Sequence, residues 1–492
     1  MKLQNSIRIF IGVFILSFTL TSCEDILNEQ PYSQLSDQQF WKTSADANAA
    51  ISGIYDAMQK HYRERYFLQG EMRSDNYVAS ASASANGLEL VNNTLTSANN
   101  VSDWTLLFQA IGRANIAIEK IPTISGYDVS LLAEAKALRA FLYFDATKIW
   151  GDVPLFTDAI TNPNQQFLRP RTDFNKILNE VVIPDMLDAE KTISSAKTDF
   201  RFSRASVLAL QATVYMHLRK FAEARVALNK LVALRAYSLV TTRDSWLKLF
   251  LNDTVTPGLG RFMTGTELIL SIGYSLTEDS DRSGINNIFF AGLPTYNISP
   301  RLTTKWLSAF PTDSTLFKAK YPGFVPKAVT ATGAKLWGDW RYLESRELAP
   351  SGTTLPRVAK YNKININQTF DDTSIHLFRY ADMILLLAEA ENQLGNTVAA
   401  VTALNQIRDA RQLPLVDVKT ILNKEQLENI ILDERQFELL AEGKRWWDLV
   451  RTNKIAEVMG PINKQTNDKI VFPIWNTHLI ENKLLIQNPG YN

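Results

Sequence analysis

Cysteine occurs once in 492 residues, at Cys23, so no disulfide can form within the chain and stability rests on a core alone. An excess of either charge is missing too. Lysine plus arginine number 52 against 51 aspartates and glutamates, a balance that excludes the basic surplus by which proteins hold phosphate backbones. Nucleic acid is therefore not expected as a partner. Histidine is scarce, and His61, His217, His376 and His478 show no metal-ligand spacing, so no metal is assigned. The chain also lacks a Gly-x-Ser-x-Gly elbow, a phosphate-cradling Gly-x-x-x-x-Gly-Lys and a dinucleotide Gly-x-Gly-x-x-Gly, which leaves catalysis without a named residue and no cofactor implied.

Long apolar runs are absent except at the start. Lys2 and Arg8 precede Ile9 to Leu20, an apolar stretch too short to cross a hydrocarbon core of about 30 Å as a helix. It reads as the apolar part of an export signal spanning residues 1–22. Leu20-Thr21-Ser22-Cys23 then resembles a bacterial lipobox, in which Cys23 is lipidated and becomes the mature N-terminus. Acyl chains contributing about 0.8 kcal/mol per buried methylene would hold a soluble domain at a membrane surface. Residues 23–43 are polar, carry Pro31 and have no helical period, as a tether would.

Apolar residues are plentiful, 46% of the chain, enough for one large domain or two or three ordinary ones, each with a proper core. Ala50, Ile51, Ile54, Ala57 and Met58 recur at helical spacing within Ala47 to Lys60. Leu131, Ala135, Leu138, Leu142 and Ala146 do the same up to Ile149, where Gly151 and Pro154 stop the helix. An internal repeat appears when Ala212 to Leu231 is laid on Ala388 to Ile407, an offset of 176 residues. Ala224 meets Ala400, Ala227 meets Ala403, and Leu228-Asn229 meets Leu404-Asn405. Small residues where two helices cross, then a short turn, follow tetratricopeptide logic, but the spacing is too long for a tandem array and predicts helix pairs parted by insertions. Between the helical halves, 44–240 and 373–492, lies 241–372, rich in glycine, proline and serine, with Glu267 to Tyr274 as a short predicted strand. Long connections inside a compact domain usually carry function. Near the end, Asn423 and Gln426 mark the start of a helix whose apolar face extends toward Gly443.

Several segments, in order, resemble the SusD/RagB family. They are the lipobox with Glu24-Asp25, Ala135 to Leu155 (AKALRAFLYFDATKIWGDVPL), Ser206 to Leu234, Phe378 to Ala390 (FRYADMILLLAEA), Glu434 to Arg451 (ERQFELLAEGKRWWDLVR), and the end, Phe472-Pro473-Ile474 with Gln487 to Tyr491. Asp313-Ser314-Thr315 departs from the aspartate-proline-arginine common there. The resemblance implies a mainly α fold, a SusD-like scaffold of tetratricopeptide-like helix pairs with long ligand-binding loops and little β. It further implies a lipid anchor at the outer face of the outer membrane and a SusC-like, TonB-dependent transporter as partner. The implied function is non-catalytic capture of oligosaccharides or polysaccharides, with peptide capture, or a tetratricopeptide-like adaptor role, as the alternatives.

Glu434 and Glu438 lie one turn apart, but a glycosidase pair must straddle a sugar bond, and Arg435, Glu442, Arg445, Asp448 and Arg451 crowd the same segment. Helix-spaced ion pairs are the expected role. A sugar site needs a flat ring to stack on and polar groups for the hydroxyl rim. Trp337, Asp339, Trp340, Arg341 and Tyr342 offer both in one loop, and Tyr296 ends a second ring-bearing loop, Phe289 to Tyr296. Asp75, Asn76 and Tyr77 follow the first helices, where the resemblance places ligand contacts, although they could equally cap a neighbouring helix. A tryptophan can also simply plug the core beneath its loop. Of Trp446 and Trp447, at least one ring is expected to be buried.

Overall fold

A computed structural model of the protein describes residues 40–160, 165–250, 265–274, 282–330, 332–348, 354–361 and 373–491. Cys23 and the export signal lie outside them. The described residues are 56% helical and 7% strand, so helix packing builds the body and the strands only pin loops.

Helix α1, Ser44–Tyr62, starts at a capping box in which Thr43 and Asp46 satisfy each other's backbone N–H groups, and it buries Ile51, Ile54 and Met58. It packs on α2, Thr105–Lys120, which packs in turn on α3, Val129–Trp150. Helix α3 is buried nearly all round, from Ala133 to Trp150, because other elements cover every face; Gly151 ends it at φ 73°.

The repeat becomes two helix pairs at the same offset. Helices α4, Arg204–His217, and α5, Phe221–Ala233, form the first. Of the later helices, α6 is Pro300–Ala309 and α7 is Trp340–Ser345. The second pair is α8, Tyr380–Gln393, with α9, Thr397–Ala410. Ala224, Ala227, Ala388, Ala400 and Ala403 are buried where these helices cross, and α5 rests on α8. Two further helices, α10, Lys424–Glu438, and α11, Arg445–Arg451, follow the second pair.

Short two-stranded sheets complete the frame, and two of them bear on the site. Strand β1, Tyr77–Ala79, pairs antiparallel with β3, Tyr296–Ile298, with Tyr77 opposite Ile298 and Ala79 opposite Tyr296. The strand expected within Glu267 to Tyr274 is β2, Leu268–Ile272, paired antiparallel with β4, Ile375–Arg379, and all ten of these residues are buried.

Two expectations change. Helix α10 stops at Glu438, not near Gly443, because Ala441 and Gly443 take left-handed conformations at φ 62° and 69°. A side chain at Gly443 would meet the Tyr66 ring at 2.5 Å, so the turn demands glycine. The second change concerns 241–372, whose described parts are more ordered than the composition suggests, since they contain α6, α7 and the helix Ser314–Lys320, which Asp313 caps.

Candidate functional site

The signature segment folds as a buried ionic hub. Arg341 reaches Glu434 and Glu438 at 2.7 Å each and Asp339 at 2.7 Å. Arg379 bridges Glu267, Glu438 and Glu442, Arg411 bridges Glu267 and Glu438, Lys360 meets Glu442, and Arg408 meets Glu434. Five cations thus face five carboxylates, so the cluster is neutral although nearly every member is dry. Burial alone would raise the Glu438 carboxyl, but Arg411, Arg379 and Arg341 hold it well below the ordinary carboxylate range. Arg341 and Arg408 likewise lower the Glu434 carboxyl, so both glutamates are held as anions, the opposite of what a proton-donating acid requires. Their partners come from distant parts of the chain, which corrects the expectation of pairs along one helix. Only Arg435 and Arg451 with Asp448 pair inside the segment.

Of the residues singled out from the sequence, Asp339 and Arg341 belong to this hub, and most of the others are buried elsewhere. Asp339 caps α7 by accepting from the Arg341 N–H at 2.9 Å and accepts from Trp306 Nε1 at 2.9 Å. Asp339 and Arg341 have no exposed surface, Trp340 stands edge-on to Trp246 at 5.3 Å, and Tyr342 accepts from Arg346 at 2.6 Å. Asp75 accepts from both Arg445 Nε, at 2.8 Å, and Arg445 Nη2, at 3.1 Å. Burial would raise its carboxyl, and Arg445 more than offsets that. Asn76 donates to Glu71 and accepts from Gln436, each at 2.8 Å, while the Tyr77 hydroxyl donates to Glu71 at 3.3 Å. Tyr296 is buried, with its hydroxyl 3.5 Å from the Gly87 carbonyl. Helix α10 thus joins the two groups, Gln436 holding Asp75 and Asn76, and Glu434 with Glu438 holding Arg341. Trp337 stays apart from them. It is half-buried, set edge-on to Phe317 at 5.8 Å, with the Lys318 ammonium 4.8 Å from its ring centre. Trp446 is buried and Trp447 half-buried, and the Arg73 guanidinium lies 4.1 Å over the Trp446 ring, which makes that pair packing.

The open site lies beside these residues. A cavity of about 590 Å³ is lined by the end of α1 and the residues after it, by the 100–106 segment and by residues 282–287. Lys60, His61, Arg63, Glu64, Arg65 and Arg282 supply its chemistry. His61 has no exposed surface, and neither ring nitrogen has a hydrogen-bond partner among the described residues. Burial, then the Arg65 charge, depresses its pKa to about 4, so at neutral pH the imidazole is uncharged, with a donor and an acceptor unused. Buried polar groups are ordinarily satisfied, so this unpartnered pair, sealed beneath the cavity wall, departs from the rule. Gly284, at φ 76°, lets its loop close on Glu64, because a side chain there would meet the Glu64 carboxylate at 2.9 Å. In the sequence these residues are marked only by the dense run Lys60-His61-Tyr62-Arg63-Glu64-Arg65 at a helix end. No group of three or more histidine, cysteine or acidic side chains that could hold a metal, and no helix long and apolar enough to cross a membrane, occurs among the described residues.

Comparison with known proteins covers both halves. Residues 25–216 match a family model described as starch-binding associating with outer membrane, and residues 325–491 match the SusD family model. SusD-like protein P38 of Formosa agariphila is 47% identical, the alignment covering 100% of each chain, and SusD-like protein P2 of the same organism is 27% identical over 98% of this chain and 99% of its own. Among solved structures, a SusD superfamily protein from Bacteroides vulgatus superposes with a TM-score of 0.73 at 18% identity, covering 92% of this chain and 100% of the other. A laminarin-binding SusD-like protein does so at 0.70 and 22%, covering 92% and 100%. Full-length identity at this level, on the same helical frame, places the chain in the SusD family.

Proposed function

We propose that this chain captures extracellular oligomers, glycans foremost, without altering them, and passes them to a SusC-like, TonB-dependent transporter in the outer membrane. Full-length kinship with SusD-like proteins is the observation that carries the reading. The cavity beside α1 is the capture site in this view, its charged wall meeting hydroxyl and ring substituents, while Trp337 offers a half-exposed ring. Asp75, Asn76, Tyr77, Tyr296, Asp339, Trp340, Arg341 and Tyr342 act from behind, holding the loops in register. Cys23, lipidated, tethers the domain to the outer face of the membrane. Saccharide is preferred to peptide because one structural neighbour is named for binding laminarin.

Calorimetry of the lipid-free chain, residues 24 to 492, against plant, host and microbial glycans and mixed peptides tests this. Saccharide binding that tightens with chain length, with the oligomer recovered intact, is the expected result. Shortened products would overturn the non-catalytic reading, and binding confined to peptides would move the ligand class.

A further inference from the structure

We infer that the captured saccharide is polyanionic, bearing carboxylates or sulfate esters; this rests on the capture reading above. The chain as a whole is nearly neutral, so the way its charges are distributed carries information. Inside the protein, cations are matched to carboxylates, as the hub shows. The segment 314–337 breaks that pattern. It holds Lys318, Lys320, Lys327 and Lys335 and no aspartate or glutamate. All four are exposed, and none is in an ion pair among the described residues; Lys320 is spent on the Ser308 carbonyl.

The segment is also a formed lobe and not a loose run of charge. Helix Ser314–Lys320 leads into a turn closed by Thr330 N–H donating to the Ala334 carbonyl at 2.8 Å, with Val329 bridged to Lys335. Phe317 is buried beneath it, and Phe310 stacks on Tyr321 at 6.1 Å. Gly338, at φ 91°, brings the lobe back close to the Phe310 and Pro311 carbonyls, 3.1 Å from where a side chain would begin. Lysines on a packed lobe are held near one another at less entropic cost than on a free loop. Trp337 ends the segment with Lys318 over its ring, so a ring for a sugar face and an ammonium for its charged substituent occur together.

The cavity points the same way through different residues. Its wall carries Lys60, Arg63, Arg65 and Arg282 against Glu64. Lys60 is bridged to Asp56 and Arg65 to Asp103, and Arg282 is exposed with no ion pair among the described residues. A membrane surface would also attract lysines, but a half-buried ring beside an ammonium and a concave cavity wall suit a saccharide better than a lipid headgroup.

The test measures binding of oligomers of a hexuronic acid, of a sulfated galactan and of a neutral glucan of equal length to the mature chain. A Lys318→Gln/Lys327→Gln/Lys335→Gln variant, an Arg282→Gln variant and vesicles containing anionic lipid complete the set. Expected are at least roughly tenfold tighter binding of a charged oligomer than of the neutral one, and a loss of about tenfold in the triple variant for charged ligand only. Charged-ligand affinity should also fall as salt screens the lobe. Equal affinity for neutral and charged oligomers, insensitive to salt and to both variants, would overturn the inference while leaving capture intact. Vesicle binding that needs the three lysines, with oligomer binding untouched by them, would assign the lobe to the membrane and overturn it as well. Binding of no saccharide at all would remove the reading underneath.

Discussion

His61, His217 and His376 are held near a pKa of 4, chiefly by burial. His376 is wedged between the Ser271 hydroxyl at 2.8 Å and the Leu249 carbonyl at 2.6 Å. A depressed folded-state value means that the unfolded chain takes up these protons first. The stability they contribute is complete above the ordinary histidine value of 6.5 and is lost as pH falls toward 4, with a slope of about 1.4 kcal/mol per pH unit for each proton. Glu71 opposes them. Burial raises its carboxyl to about 7, although Gly443 N–H and Ala441 N–H donate to it, so its contribution is greatest below about 4.5 and is gone by 7. Three protons against one predict a urea midpoint that falls between pH 7 and pH 5, and a His61→Gln variant whose pH dependence is shallower by about one proton. Superimposable pH curves for variant and parent would show that His61 is protonated freely in the folded protein. None of these shifts could be read from the sequence, where each histidine is only an isolated letter.

At the scale of the element, the two helix pairs supply a matched comparison. Their turns coincide at the repeat offset, so Arg219, at φ 57°, occupies the position that Gly395, at φ 83°, occupies in the other pair. A left-handed residue with a side chain costs about 1 kcal/mol relative to glycine. Arg219→Gly is therefore expected to stabilise the protein by up to about 1 kcal/mol, less the small loss of an exposed hydrogen bond to the Arg451 carbonyl. Gly395→Ala should destabilise by about as much through the backbone alone, since a side chain there meets nothing within 4 Å. Denaturant midpoints read both, and a stabilised Gly395→Ala protein would contradict the argument. The helix pairs were legible because alanine at a crossing is dictated by interhelical distance. The end of α10 was not, because Ala441 adopts its conformation to bring its N–H to Glu71, a residue far away in the chain.

For the whole molecule, the ionic hub ties β2, β4, α7, α9 and α10 together through Glu438, on which Arg341, Arg379 and Arg411 converge. Removing one partner of a buried network leaves charges uncompensated in a poorly solvated place. Glu438→Ala should cost about 3–5 kcal/mol or prevent folding, read as a lowered urea midpoint with loss of helical circular dichroism. A cost below about 1 kcal/mol would mean that the hub does not hold the halves together. The mainly helical class, the repeat, the membership suggested by the signature segments and the ionic role of Glu434 and Glu438 were all determined by the sequence. Each depends on local periodicity or on residue types that few environments tolerate. The site was not determined in that way. Asp339, Trp340, Arg341 and Tyr342 look from their composition like a sugar-binding loop, yet folding turns them inward, because α10 presents two carboxylates where that loop arrives. Lys60, His61, Arg63 and Arg282 become one cavity wall only when α1 is laid beside a segment more than 200 residues later. Local pattern specifies an element and its buried face, whereas exposure and neighbourhood depend on which distant surfaces meet, and only the tertiary structure decides that.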